Sequence, residues 1–319
     1  MRENRPYGSE GGEGESPSLP LSRKTLACLA SEKASAGPDG HRTARPSLSR
    51  ALARVDFRGI GCEGFFAFSQ LSGSSIVRVI ILAAGQGKRL LPLTTEVPKA
   101  LLDIHGRSLI GRQIDAFSEC GLKDFVVVTG YGAPRMDEAL AAIASARGIS
   151  VRTVFNPFFA VADNLASCWM ARHEIAGDFI QVNGDNVFRA DLVQRLLAAP
   201  AAPVSVAINH KDAYDADDMK VMLDAGRLTE IGKTLPIDAV DAEAIGFYVF
   251  RGEGAAAYVN TLDKSMRDPS GLKQWFPAAI GSLAKSVDIS TIAINGIRWC
   301  EVDFPADLQH ARQLAASWD

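Results

Sequence analysis

The chain has 319 residues and a formal net charge of −3, since 34 Lys and Arg residues stand against 37 Asp and Glu residues. This near-neutral balance argues against a nucleic-acid-binding protein, which usually carries a basic excess on one face. The five cysteines are scattered without a CxxC pair or a histidine cluster, so they predict reduced intracellular thiols rather than a disulfide framework or a zinc site. The sequence has no apolar run of the ~20 residues that span a bilayer, and its N-terminus does not resemble a signal peptide. We therefore expect a cytoplasmic protein without a membrane or nucleic-acid partner.

Residues 1–75 differ in composition from the rest of the chain. They are rich in Ser, Gly, Pro and Arg and have little apolar periodicity, so they cannot bury enough apolar surface to offset the entropy of ordering. We expect a disordered N-terminal extension, followed by a folded domain over residues 76–319. A further hypothesis is that the extension is a mis-called start, because Val77 leads directly into the first predicted strand and would be a non-Met start. N-terminal sequencing of native protein that found residues before Val77 would contradict this hypothesis.

From Val77 onward, strand and helix patterns alternate. Short apolar runs rich in β-branched residues are typical of buried strands, and the segments between them repeat apolar residues at helical spacing. In chain order, the first part is predicted to contain strand Val77–Ala84, helix Leu109–Glu119, strand Asp124–Thr129, helix Ala133–Ala146, strand Val151–Phe155, helix Asn164–Ile175, strand Phe179–Asn183, helix Ala190–Leu197 and strand Val204–Ile208. The second part is predicted to contain strands Lys220–Leu223, Leu228–Ile231 and Ala244–Phe250, helices Gly254–Leu262 and Leu272–Leu283, strands Ile289–Ile294 and Trp299–Val302, and helix Pro305–Ala315. This alternation predicts an α/β, Rossmann-like fold with a mixed, mostly parallel sheet and helices on both faces.

The loop after the first predicted strand, residues 82–102 (LAAGQGKRLLPLTTEVPKALL), is the most informative stretch. Gly85 and Gly87 let the backbone fold tightly against a ligand, and successive N–H groups in such a turn form an anion-binding concavity. Arg89 and Lys99 bring two cations to the same rim, a combination that suits a triphosphate. The stretch lacks the Walker pattern GxxxxGK[ST] and, because Leu90 replaces the third glycine, the dinucleotide pattern GxGxxG. The alternative is that the two cations are solvated surface residues.

Two aspartates are candidate metal ligands. Asp185 follows an apolar strand, and an acidic residue at the carboxyl end of such a strand points into the ligand crevice of an open α/β sheet. Mg²⁺ takes one or two carboxylates together with phosphate oxygens and waters, and Asp303, just past a late strand, is the expected partner. The alternatives are that Asp185 is a turn or N-cap residue and that Asp303 caps the last helix.

The glycine-containing stretch resembles the signature loop of the sugar-phosphate and phosphocholine nucleotidyltransferases, LAAGxGxRLxPLTxxxPKxLLxIxGxPLI. The match runs through Leu109-Ile110, with Ser108 where proline is commonest. The resemblance implies a GT-A-like variant of the predicted fold and a Mg²⁺ ion held by Asp185 and Asp303. It implies that Arg89 binds the β- and γ-phosphates, and that Lys99 binds near the α-phosphate and the acceptor phosphate. The residues that it implies for the base and phosphates are Leu82, Ala83, Ala84, Gly85, Gly87 and Arg89.

Residues 156–170 (NPFFAVADNLASCWM) resemble the branch of this family that makes CDP-choline and related cytidylyl products. Asn164 and Ser167 fall at positions that match that branch, and the segments around Asp218, Lys233 and Glu243 resemble it as well. The resemblance implies that these five residues contact substrate. An acceptor with an amine or quaternary ammonium would need an aromatic wall and a nearby acid, although such aromatics are often core residues. The available side chains are Phe158, Phe159, Trp169, Tyr214, Trp275, Asp217 and Asp218.

The resemblance implies Mg²⁺-dependent transfer of a nucleotide, with CMP from CTP favoured, to a small phosphorylated acceptor and release of pyrophosphate. Phosphocholine, an aminoalkyl phosphonate, and a sugar or polyol phosphate all fit as acceptors, and a homo-oligomer is compatible with the sequence. A glycosyltransferase is disfavoured because Gly184-Asp185-Asn186 has a single aspartate, and a nicotinamide-dependent dehydrogenase because the third glycine is missing. A non-catalytic nucleotide-binding regulatory module is disfavoured because both cations and both carboxylates are present.

Overall fold

The structure, a computed structural model, describes residues Val77–Trp318. The predicted disordered extension over residues 1–75 therefore lies outside the described residues. The strands are β1 (Arg78–Leu82), β2 (Asp103–Ile104), β3 (Arg107–Ser108), β4 (Asp124–Thr129), β5 (Ser150–Phe155), β6 (Phe179–Asn183), β7 (Asn186–Val187), β8 (Val204–Asn209), β9 (Lys220–Asp224), β10 (Arg227–Gly232), β11 (Ala242–Phe250), β12 (Ile289–Ala293) and β13 (Cys300–Glu301). The α-helices are α1 (Leu109–Glu119), α2 (Ala133–Arg147), α3 (Asn164–Met170), α4 (Ala190–Ala198), α5 (Glu253–Arg267), α6 (Pro277–Leu283) and α7 (Pro305–Ala316).

Nine strands form the main sheet, in the order β5-β4-β1-β6-β11-β8-β12-β10-β9. The four strands from β5 to β6 are parallel, and β12 is parallel to β8. Only β10 and β11 run against the other seven strands. The predicted mixed, mostly parallel sheet is confirmed.

Side chains of the sheet alternate between two apolar layers, because successive residues of a strand point to opposite faces. On β1, Val79 and Ile81 belong to the layer that contains α1, α2 and α4, whereas Ile80 belongs to the layer that contains α3, α5 and α6. All three are almost completely buried. The predicted helices on both faces of the sheet are therefore confirmed.

The strand order reverses between β1 and β6, since β4 and β5 lie on one side of β1 and β6 on the other. The last residues of these two parallel strands, Leu82 and Asn183, are in register. In open α/β sheets, ligands bind outside the carboxyl ends of the strands at such a switch point. The loop after Leu82 carries the two glycines, and the loop after Asn183 carries Asp185.

The predicted helix Leu272–Leu283 is wrong in its first half. The α-helix begins at Pro277, whose missing N–H is tolerated in a first turn. The residues before it are needed elsewhere, because the carbonyls of Leu272 and Gln274 accept hydrogen bonds from the N–H groups of Asp163 and Leu165 at the start of α3. The β2–β3 hairpin and β7 were not predicted, since strands of two residues carry no periodicity.

Within residues 77–318, no helix combines the length and the apolar character that crossing a membrane requires.

Candidate active site

The glycine loop leaves β1 and returns toward Lys99. Gly87 adopts the left-handed region, with φ of 73°, and the Thr94 hydroxyl donates to its carbonyl at 2.9 Å. A Cβ at this position would lie 3.0 Å from both Cβ and Cδ of Lys99. The glycine is therefore required twice, by its backbone conformation and by the close passage of the Lys99 side chain.

Lys99 lies at the centre of the charged residues. It opens a short 3₁₀ turn after Pro98, and its Nζ lies 2.6 Å from Asp303 Oδ1 and 3.3 Å from Asp185 Oδ2. Only 12% of its side chain is exposed. Burial alone would lower the pKa of the ammonium, but the two carboxylates more than offset this effect and hold its pKa above the usual value.

A two-stranded ribbon joins the two aspartates. β7 begins directly after Asp185, and β13 ends two residues before Asp303. The two strands pair antiparallel. The N–H of Val302 donates to the carbonyl of Asp185 at 3.0 Å. The ribbon thus fixes the spacing of two residues that are distant in sequence.

The alternative that Asp303 caps the last helix is wrong. The carboxylate of Asp307 instead accepts from the N–H groups of Asp303 and Phe304, at 3.0 and 2.7 Å. The Asp303 carboxylate is thereby left free to meet cations. Its pKa, which burial would raise, is held below the usual value by Lys99, Arg89 and Lys233.

Arg89 reaches the same carboxylate from the outer side. Its Nη1 lies 3.5 Å from Asp303 Oδ2 and 3.8 Å from Asp217 Oδ2, and its guanidinium lies over the Phe304 ring at 5.1 Å. Its side chain is 45% exposed. The interpretation as a solvated surface cation is therefore wrong for Lys99, whereas Arg89 is half-exposed and weakly paired.

The two aspartates fit a Mg²⁺ ion. Asp185 Oδ1 is buried and has no hydrogen-bond partner among the described residues, and its other oxygen already contacts a cation. Carboxylates are the ligands that Mg²⁺ takes, with phosphate oxygens and waters completing its six positions. Among residues 77–318, no group of three or more His, Cys, Asp or Glu side chains is arranged to hold a metal ion. The remaining ligands would have to come from substrate and solvent.

Two cavities meet at Asn164, Asn183 and Asp185. The first has a volume of about 220 Å³ and is lined by residues of the glycine loop, the ends of β1 and β6, and the segment around α3. The second has a volume of about 310 Å³, and half of the residues that line it are charged.

The predicted site residues divide between these cavities. The first is lined by Leu82, Ala83, Ala84, Gly85, Gly87, Lys99, Asn164, Ser167 and Asp185. The second is lined by Arg89, Asn164, Asp185, Asp218, Lys233, Glu243 and Asp303. Two residues differ from expectation: Arg89 lines the second cavity rather than the nucleotide loop's own cavity, and Ser167 lines only the first.

Two acids that line the second cavity, Asp218 and Glu243, form ion pairs with the same lysine. Lys211 Nζ lies 2.7 Å from both Asp218 Oδ1 and Glu243 Oε2, and Asn209 donates to Glu243 Oε1 at 3.0 Å. Burial raises the pKa of Glu243 despite the nearby cation. Burial acts in the same sense on Asp218, but Lys211 and the N–H of Asp215 outweigh it and lower the pKa of that carboxyl.

Of the candidate aromatics, Trp275 lines the second cavity. Lys233 Nζ lies 4.4 Å from the centre of its ring and 3.4 Å from Asp217 Oδ1. Trp169 is not near either cavity, because its Nε1 donates to Asp263 and Arg172 covers its ring at 3.8 Å. Phe159 lines the first cavity instead.

Sequence reasoning missed Glu301 and Asn183. Each stands two residues before a predicted metal ligand, and alternation along a strand puts such a neighbour on the same side, so this signal was available. Both line the second cavity. Burial, together with the charges of Asp185 and Asp303, raises the pKa of Glu301 to about 8.

Comparisons with known proteins identify which proteins the chain is similar to. Residues 79–235 match the MobA-like NTP transferase domain. The chain is 29% identical over 239 residues to a bifunctional IPC transferase and DIPP synthase of Aquifex aeolicus, which covers 73% of the chain and 50% of the relative. The chain thus spans about half the length of that relative.

A second relative matches over nearly its whole length. The chain is 29% identical over 246 residues to a choline-phosphate cytidylyltransferase of Streptococcus pneumoniae, which covers 75% of the chain and 98% of the relative. The inositol-1-phosphate CTP transferase from T. maritima has the same fold, with a TM-score of 0.64 at 20% identity over 76% of the chain and 95% of that structure. With residues 79–235 matching the MobA-like NTP transferase domain and with relatives that are nucleotidyltransferases, the chain is an enzyme of the nucleotidyltransferase class.

Proposed function

We propose that the chain catalyses Mg²⁺-dependent transfer of a cytidylyl group from CTP to a small phosphorylated acceptor, with release of pyrophosphate. The observation that carries this proposal is the Lys99 ammonium, which lies within hydrogen-bond distance of both Asp185 and Asp303 where the two cavities meet. Transfer of a phosphoryl-type group needs positioning and charge stabilisation more than covalent chemistry. A buried cation beside the backbone donors of a glycine loop supplies both.

The first cavity receives the nucleotide and the second receives the acceptor. The backbone N–H groups of the Gly85–Gly87 turn bind phosphate oxygens, and Lys99 reaches the α-phosphate. Arg89 stands at the outer rim, near Asp303, and its position on the acceptor side allows it to orient the incoming phosphate.

The reaction is a direct in-line substitution at the α-phosphorus of CTP. A phosphate or phosphonate oxygen of the acceptor forms the new P–O bond, and the bond to the bridging oxygen breaks, so that pyrophosphate leaves with the electron pair. An acceptor dianion needs no general base, and the reaction requires no protein nucleophile. Lys99 remains protonated because its pKa is raised, and it offsets the negative charge of the transition state.

Asp185 and Asp303 would hold the Mg²⁺ ion, together with phosphate oxygens and water. When bound, this ion supplies Lewis-acid polarisation of the α-phosphate and neutralises part of its charge. Lys99 keeps the two carboxylates oriented toward each other, and the ribbon of β7 and β13 keeps their backbones at a fixed spacing.

We propose that the acceptor carries an amine or quaternary ammonium at its far end. The second cavity holds the acidic side chains of Asp217, Asp218 and Glu243 and the partly exposed side chain of Trp275, whose ring already contacts a cation, Lys233. A cation is stabilised by such a ring and by nearby carboxylates. The relative from Streptococcus pneumoniae, a choline-phosphate cytidylyltransferase, supports the same choice.

The test is pyrophosphate release from each of the four NTPs with phosphocholine, 2-aminoethylphosphonate, glucose 1-phosphate or no acceptor, with ³¹P NMR of the product. We expect turnover with CTP and a cationic acceptor, loss of turnover in EDTA, and a cytidine diphosphate-type product. Turnover with glucose 1-phosphate but with neither cationic acceptor would contradict the proposed class of acceptor. Binding of CTP without pyrophosphate release from any pair would favour a regulatory module over an enzyme.

A further inference from the structure

Gln113 of α1 is a polar residue in an apolar layer. It is completely buried, and its neighbours on the same helix face are Ile110, Ile114 and Phe117, which belong to the core. Burying a carboxamide costs free energy unless its hydrogen bonds are made. An apolar side chain would pack here more simply, so the hydrogen bonds of Gln113 explain its presence.

Both hydrogen bonds that its Nε2 donates go to the turn that carries Asp185, whereas its Oε1 has no partner among the described residues. Gln113 Nε2 donates to the carbonyl of Asn183 at 2.9 Å and to the carbonyl of Asn186 at 2.8 Å. These two carbonyls stand on either side of Gly184 and Asp185. A single side chain therefore holds the turn at both ends.

The rest of the turn is held by backbone contacts. The N–H of Gly184 donates to Leu82 at 2.9 Å, and the carbonyl of Asp185 accepts from Val302 at 3.0 Å. A Cβ on Gly184 would lie 2.5 Å from the Leu82 carbonyl oxygen, so the turn has no room to shift toward β1.

The direction of the Asp185 carboxylate depends on this backbone. Its Oδ2 contacts Lys99 and its Oδ1 has no partner among the described residues. No N–H or hydroxyl group of the described chain is hydrogen-bonded to Oδ1, so the backbone turn and the Lys99 contact to Oδ2 together decide where Oδ1 points. Partners that orient a ligating carboxylate, although they do not touch the metal, typically change metal affinity about 10–100-fold when removed.

We infer that Gln113 is a positioning residue: its carboxamide fixes the Asp185 turn and so sets the affinity of the site for its divalent cation. This inference rests on the proposed function, in which Asp185 is a metal ligand. Gln113 acts through the backbone of Asn183 and Asn186 and touches neither substrate nor metal.

The test compares Gln113→Met with Gln181→Met. Gln181 is the matched control because it is a buried carboxamide on β6, the strand that leads to Asp185, but it accepts from Tyr258 on the opposite face of the sheet. Mn²⁺ binding in the presence of CTP is measured by the EPR signal of free Mn²⁺, without acceptor and without turnover. Thermal unfolding of the metal-free proteins is measured in parallel.

We expect both variants to lose thermal stability, but only Gln113→Met to bind Mn²⁺ about 10-fold or more weakly. In turnover assays, its kcat is expected to fall with the metal affinity, while the KM for CTP stays within about twofold. Gln113→Leu, which is also apolar and has no donor, should behave as Gln113→Met does.

Unchanged Mn²⁺ affinity in both Gln113 variants would overturn the inference, and so would an equal loss in Gln181→Met. Failure of both Gln113 variants to fold would assign the residue to folding and would overturn it too. If the wild-type chain itself binds no Mn²⁺, the metal assignment of the proposed function fails. That result is distinguishable, because it does not depend on any variant.

Discussion

The two cavities that share Asp185 are built in different ways. The first is lined by glycines and other small residues at the ends of β1 and β6 together with the segment around α3, whereas half of the residues that line the second are charged. Backbone N–H groups of a glycine loop can bind a phosphate chain regardless of the side chains around them. If the second cavity receives the acceptor, as proposed, its charges can be exchanged one at a time, so acceptor preference can change there without loss of the nucleotide.

The largest effect is expected where the two cavities meet. Asp185→Asn removes one of the two carboxylates that face Lys99 and the proposed Mg²⁺, at a residue that lines both cavities. We expect kcat to fall by about 10³-fold or more, measured as pyrophosphate release with CTP and acceptor. Asp137→Asn, which alters an exposed acid on α2, is the control. A folded Asp185→Asn variant that turns over within about tenfold of wild type would refute the assignment.

The next effect tests the first cavity alone. Gly87→Ala forces a left-handed φ on alanine and pushes a methyl group against Lys99. We expect kcat/KM for CTP to fall about 10–100-fold, because small displacements of catalytic groups have effects of this size. Gly106→Ala is a matched control, since Gly106 has a similar φ of 76° but nothing within 4 Å of the added methyl. Equal losses in both variants would mean that backbone strain, and not the displacement of Lys99, is responsible.

A smaller and more selective effect is expected in the second cavity. Glu243→Gln leaves Lys211 with one carboxylate and removes a negative charge from the acceptor cavity. We expect the acceptor KM to rise about tenfold, equivalent to one charged hydrogen bond, while the KM for CTP is unchanged. Glu230→Gln, which alters an exposed acid on β10, should change neither constant. A parallel rise in the KM for CTP would contradict the division between the cavities.

The last effect is on stability and its pH dependence rather than on turnover. The pKa of Glu301 is raised from its ordinary 4.5 to about 8, so in the metal-free protein the unfolded chain loses this proton first as pH rises. The free energy of unfolding therefore falls between about pH 4.5 and pH 8 on account of this group. Glu301→Gln should match wild type near pH 4.5 and be more stable above pH 8, by at most about 5 kcal/mol. Urea unfolding in EDTA at both pH values measures this difference, and an equal stability at high pH would contradict it.

The sequence predicted the residues of the first cavity better than those of the second. The glycine loop and Lys99 lie within one short stretch, so their spacing could be read directly. The second cavity depends on contacts that no local pattern encodes. Trp169 was a candidate for the acceptor wall, but its ring is held by Asp263, 94 residues away.

The same reason explains which polar groups were missed. Lys211, which joins Asp218 to Glu243, lies outside any recognisable motif, and its role follows only from the pairing of β8 with β11 and of β9 with β11. Gln113 reads as one residue of an amphipathic helix until its two carbonyl partners, 70 and 73 residues away, are located. The two aspartates, which stay predicted metal ligands, lie beside the same ammonium because Asp185 follows β6 and the short β13 before Asp303 pairs with β7.

The ribbon of β7 and β13 also determines when the site can form during synthesis. Lys99 and Asp303 are separated by 204 residues, and the strand that fixes Asp185 from the outer side is β13. A growing chain on the ribosome therefore presents its glycine loop long before both carboxylates are in place. Under the proposed mechanism an unfinished chain could not turn over nucleotide, because Asp303 is added only with the late segment that pairs with β7.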